Sequence, residues 1–268
     1  MISMIQSRRK GLVRLIVFSI GYGFILKCIY CNQVDPSTST YLYAIFQLYF
    51  GGITIKNSME IIHVIIYIIP FVYLLTEEDR QWRDMLGTNS CIFLIRLGGW
   101  RRFYYKKVIE SALYLVIYCI IQIVIFQLLT ENIIHLSSID VHMLEIIVLF
   151  FFRYFVCILL FQLIRVNKNE LVCIISVLTL YVISVLCTGC IYCSNKSLLG
   201  LTKLNVLCRG IYNYQEPCNY SMNTLNIMPD NNYTLYMSVG ININIQIICC
   251  VILFVLGIIT IKKHDMLE

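Results

Sequence analysis

The sequence predicts an all-α membrane protein with six transmembrane helices and both ends in the cytoplasm. Three observations carry that prediction. Apolar residues make up 59% of the 268 positions and charged residues only 13%, against about 25% charged in a typical soluble domain. So little charge could not cover a water-facing surface, and lipid must be a large part of the solvent. Six mostly apolar runs of about 20 residues follow one another, each long enough to cross the hydrocarbon core as a helix. Lys and Arg also gather in alternate connections between those runs, the asymmetry that orients a chain across a bilayer.

The first span is expected at residues 12–30, behind a basic, amphipathic segment holding Arg8, Arg9 and Lys10. A basic start before an apolar core is also how a signal peptide begins, but no small-residue cleavage site follows Leu26 and Lys27 breaks the pattern, so this run is read as an uncleaved span. The second span covers residues 58–75, with a kink expected at Pro70. The remaining spans cover residues 108–129, 143–164, 171–192 and 243–261. Helices are required because lipid cannot satisfy free backbone N–H and C=O groups. Their many Ile and Val residues do not signal strands, since the runs are too long and do not alternate as barrel strands do. With the N-terminus inside, fifteen of the 21 Lys and Arg lie on the inner side, five lie outside, and Arg153 falls within the fourth span. The net charge of +6 is therefore a topology signal, and no nucleic-acid partner is read from it.

The connections are unequal. Residues 31–57 form an outer loop whose apolar, aromatic stretch 41–50 is too short to span and reads as an interfacial or re-entrant helix. Residues 77–107 form a cytoplasmic segment, 130–142 a short outer loop, 165–170 a tight inner one, and 193–242 a large outer segment rich in Asn, Tyr and Ser. Of the thirteen cysteines, those in membrane or cytoplasmic positions read as small core residues. Cys208 and Cys218 share the large outer loop, ten residues apart, and are the natural local pair for a disulfide if that side is oxidising. Cys187, Cys190 and Cys193 fall on one helix face by spacing, but they lack nearby His or acidic partners and no metal site is assigned.

The cytoplasmic segment carries the strongest functional signal. Acidic Glu77, Glu78 and Asp79 are followed by Trp82, an apolar patch of Ile92, Phe93, Leu94 and Ile95, then Arg96, a Gly98-Gly99 break, and Trp100, Arg101 and Arg102. The glycine pair separates the segment from a new helix. Trp100 to Lys107 suits the headgroup layer, with bases facing anionic phosphates. The apolar patch between two polar turns needs a partner to bury it. Within the fourth span, Arg153 is the most unusual single residue, because an arginine at the bilayer centre costs about 2.5–3.5 kcal/mol. It should face protein, water or a subunit interface, as a structural charge or as one lining a path. The chain has no phosphate-cradling G-x-x-x-x-G-K-[ST] loop and no H-E-x-x-H or G-x-S-x-G motif.

With its six spans, its basic amphipathic start and the phrase LIRLGGWRRFYYKKV at Leu94 to Val108, the chain resembles the permease subunits of ABC-2-type ABC transporters. The nearest in kind are the small bacterial permeases of peptide or bacteriocin export and immunity. The phrase is similar to their Leu-Ile-Arg-x-Gly-Ser-Arg-x-x-Trp pattern, with Gly99 where Ser is common and Trp100 early. The resemblance implies a permease of an ATP-driven exporter in the cytoplasmic membrane, without enzymatic activity or cofactor of its own. A separate cytoplasmic ATPase would hold the ATP and Mg and dock on Ile92, Phe93, Leu94, Ile95, Arg96, Trp100, Arg101 and Arg102. It also implies a second permease subunit around a central path and an amphipathic peptide as cargo. The alternative is a membrane receptor or immunity protein that binds its ligand through the outer segment and transports nothing.

Overall fold

A computed structural model describes residues 2–30, 46, 49–51, 61–85, 99–130, 141–194, 205, 207, 209, 211 and 239–265. These residues form six helices: α1 (Ile2–Tyr30), α2 (Ile61–Met85), α3 (Trp100–Thr130), α4 (Val141–Arg165), α5 (Glu170–Ser194) and α6 (Val239–Asp265). All of them except α2 contain a stretch long and apolar enough to cross a membrane. The apolar run of α2 stops at Leu75, and the helix then carries Thr76, Glu77, Glu78, Asp79 and Arg80 without interruption.

Each helix shows why the bundle suits lipid. On α1 the buried positions Leu15, Ser19, Tyr22 and Leu26 recur every three or four residues, which is one helix face. Val13, Val17, Ile20 and Phe24 on the opposite face are exposed. The same division runs along α3, where Lys107, Ser111, Leu115, Tyr118 and Gln122 are buried while Ile109, Leu113, Val116 and Ile120 are exposed. On α6, Asn242 and Gln246 point inward and Ile247, Ile248, Val251 and Ile252 point out. Polar groups inside and aliphatic groups outside is the reverse of a water-soluble fold, and it satisfies polar atoms where lipid offers none.

The helix α4 is the most enclosed of the spanning candidates and packs on α3, α5 and, most extensively, α6. Helix α3 also packs on α6, and there Gly257 leaves space for the Tyr104 ring; a Cβ at that position would collide with it. Gly99 opens α3 with a φ of 103°, a left-handed conformation open to glycine at little cost, and its carbonyl accepts the Phe103 N–H at 3.2 Å. The glycine break thus lies where the sequence indicates, but the helix begins at Trp100 rather than at 108, so the basic-aromatic stretch is the first two turns of α3.

Of the two readings of residues 41–50, interfacial or re-entrant helix, burial favours the re-entrant one. The described residues Phe46, Tyr49 and Phe50 are buried inside the bundle. Phe50 meets Phe126 of α3 at 5.7 Å and Phe150 of α4 at 5.3 Å between ring centroids. The Tyr49 hydroxyl donates to Gln122 Oε1 at 2.8 Å, and Gln122 Nε2 donates to Ser19 Oγ at 2.9 Å. A phenol satisfied internally has no need of the headgroup layer.

Candidate functional site

Two polar groupings lie inside the bundle. The first grows from three consecutive acids. Successive helical side chains point roughly 100° apart, so Glu77, Glu78 and Asp79 address three different neighbours, and all three are buried. Glu77 turns to α1 and accepts a two-pronged pair from Arg14, Nε at 2.8 Å and Nη2 at 2.9 Å, with Arg80 Nη1 at 2.6 Å. Glu78 turns to α3 and α4. It accepts from Ser111 Oγ at 3.0 and 2.8 Å, from Gln162 Nε2 at 2.8 Å, and pairs with Lys107 Nζ at 3.0 Å. Lys107 is 0% exposed and also donates to Gln81 Oε1 at 2.8 Å. Asp79 accepts from Arg165 Nε of α4 at 2.7 Å and pairs with Arg83 at 2.9 Å, whose Nη2 reaches Glu170 of α5 at 3.3 Å.

Residues 77–83 of α2 therefore tie together the middle of α1, the first half of α3, the end of α4 and the start of α5. These contacts align the helices in alternating direction. At the far end, Asn205 donates to the Ser184 carbonyl of α5 at 2.9 Å and Arg209 to Asn242 Oδ1 of α6 at 3.1 Å. The energetic weight of the pairs differs. The half-exposed arginines Arg80 and Arg83 form pairs of the kind worth about 0–1 kcal/mol. The enclosed Glu78–Lys107 pair gains strong Coulomb attraction but costs both desolvations, so its removal as a whole is nearly neutral while removal of one partner is not. What the network imposes is a fixed mutual position of five helices.

The second grouping surrounds Arg153. The side chain is 3% exposed and faces protein. Its guanidinium carbon lies 5.0 Å from the Phe150 ring centroid and 4.9 Å from that of Tyr154. Such cation–π contacts contribute about 0.5–2 kcal/mol each. One Nη2 hydrogen bond reaches the Tyr154 hydroxyl at 3.4 Å, which is long. The aromatic cluster continues through Tyr118 of α3, Phe71 of α2 and Tyr181 of α5.

Of the residues singled out between 77 and 107, Ile92, Phe93, Leu94, Ile95 and Arg96 lie outside the described residues, as do Cys208 and Cys218 of the segment 193–242. Trp100 is half-buried and packs edge-on to Phe103 at 5.8 Å, and Phe103 packs on buried Trp82 of α2 at 5.3 Å. Arg101 and Arg102 are exposed at the base of α3. Sequence reasoning missed the acid network itself. The available signal was a base, a hydroxyl and an amide within one turn of an expected span end, at Arg14, Ser111 and Gln162, matched by acids just past another.

Comparison with family models, with curated proteins and with solved structures finds no match for this chain.

Proposed function

We propose that the chain is the membrane-spanning permease subunit of an ATP-driven ABC exporter, with six spans, both ends in the cytoplasm, and an amphipathic peptide as cargo. ATP and Mg belong to a separate cytoplasmic ATPase, and a second permease subunit completes the path. The observation that supports this best is how the residues flanking the expected docking segment are held. Its leading flank is α2, locked to α1, α3, α4 and α5 through Glu77, Glu78 and Asp79. Its trailing flank is the base of α3, clamped by Trp100, Phe103 and Trp82. A partner pulling on residues between two such anchors moves the helix bases as a unit, which is what coupling ATP hydrolysis to a membrane path requires. Arg101 and Arg102, exposed beside Trp100, offer an acidic rim the charges that steer docking.

The apolar residues Ile92, Phe93, Leu94 and Ile95 supply the contact energy, about 1.5–3 kcal/mol for each side chain fully buried before association costs. Leu94→Asp tests the reading: membrane insertion should be unchanged, while the ATPase should no longer co-purify or its hydrolysis should lose its response to cargo. Retained ATPase with unchanged cargo-stimulated hydrolysis would make the segment a membrane anchor.

A further inference from the structure

We propose that Arg153 is the recognition group of an intramembrane site for one small monovalent anion, a halide or a carboxylate, at the centre of the bundle. The proposal concerns the chain alone and does not depend on the exporter reading. Its first support is a surplus of donors. Arg153 Nε and Nη1 have no hydrogen-bond partner among the described residues, although both are buried. The hydroxyl of Tyr118 is buried and equally without a partner, and its ring packs on Phe150 and Tyr154, the two rings that flank the guanidinium. A guanidinium carries five N–H donors, no acceptor and a permanent charge, and here only the long bond to Tyr154 uses one of them.

The second support is the charge balance. Arg153 makes no ion pair among the described residues, whereas Glu77, Glu78, Asp79 and Glu170 all pair with bases in the network at one end of the bundle. The groups that the guanidinium meets are the Phe150 ring and the ring and hydroxyl of the Tyr154 phenol. Phenols are neutral at physiological pH. One uncompensated positive charge with spare donors and no acceptor calls for an acceptor of one negative charge. The ligand must be small, because the site is enclosed. It must also reach mid-membrane, since Arg153 lies about 15 Å along the axis from one end of the span Met143–Arg165 and about 18 Å from the other. A free anion and the carboxylate head of an amphiphile share this chemistry.

The test uses the full chain in nanodiscs of zwitterionic lipid, at constant ionic strength with bulky isethionate as the background anion. Chloride-35 line broadening is followed during chloride titration, then during displacement by acetate and by decanoate. Thermal unfolding is recorded in parallel. Wild type should show saturable broadening and a chloride-dependent rise in unfolding temperature, and Arg153→Gln should lose at least tenfold in affinity. Equal displacement by acetate and decanoate identifies a free-anion site; displacement by decanoate alone identifies an amphiphile headgroup site. If Arg153→Gln fails to fold, the wild-type line broadening and its displacement decide the matter alone. Absence of saturable broadening in wild type, or equal broadening in a folded Arg153→Gln, overturns the proposal.

Discussion

Replacing Glu78 with Gln should destabilise the bundle by about 3–5 kcal/mol, the cost of leaving one member of a buried ion pair without its partner. The structure sets the terms of that figure. Lys107 is 0% exposed and Glu78 3% exposed, so water does not replace the lost carboxylate. Gln81 Oε1, at 2.8 Å, remains as an acceptor for the ammonium, which holds the expected value to the lower part of the range. Even about 3 kcal/mol lowers the folding equilibrium by roughly 150-fold. The double variant Glu78→Gln with Lys107→Met should return to within about 1 kcal/mol of wild type, because the orphaned charge is gone and apolar replacement of a buried pair is close to neutral. Reversible unfolding in mixed micelles with increasing dodecyl sulfate is a suitable assay. The chain's two tryptophans, Trp82 and Trp100, lie beside this end of the bundle and report the transition by fluorescence. If the double variant is as unstable as the single one, the pair is not the energetic unit and the network argument fails.

Gly257→Ala should cost about 1–3 kcal/mol, the usual penalty for overpacking, and Tyr104→Leu should recover part of it by vacating the collision; unfolding midpoints of both variants and their combination check this. Tyr49→Phe leaves Gln122 Oε1 without its donor and should cost about 1 kcal/mol, with no change in helix content by circular dichroism. For topology, an impermeant thiol reagent should fail to label a cysteine placed at Arg101 in intact cells and should label one placed within residues 193–242; external labelling at position 101 would reverse the proposed orientation.

The apolar runs made six helices legible, and the expected starts at 58, 143, 171 and 243 fall within four residues of a helix start. The ends were less legible where polar residues continue a helix. The expected end of the second span at residue 75 falls ten residues short of Met85, because Glu77, Glu78 and Asp79 would be costly in a buried helix unless bases from elsewhere met them. Those bases come from Arg14, Lys107 and Arg165, between 29 and 86 positions away by residue number, and no local pattern announces such pairings. The expected start at 108 misses Trp100 for a related reason. Bases and aromatics suit a headgroup layer whether or not they are helical, and the left-handed Gly99 marks the boundary more closely than hydropathy does. The burial of Phe46, Tyr49 and Phe50 was ambiguous between an interfacial and a re-entrant reading until their partners Phe126, Phe150 and Gln122 were seen. Arg153 was legible as an anomaly from its position alone, since a mid-span charge needs a reason; that its neighbours are rings rather than acids was not.

The network around α2 also constrains the order in which the protein can be made. When α2 leaves the ribosome, only Arg14 among its distant partners has been synthesised, so Glu77 can pair at once. Glu78 must wait for Lys107, Ser111 and Gln162, and Asp79 for Arg165. Until α4 is complete, Glu78 lacks Gln162 and Asp79 has only Arg83 of its own helix to meet it. Completion of α4 supplies the last partners of Glu78 and Asp79 and is the step that lets this end close.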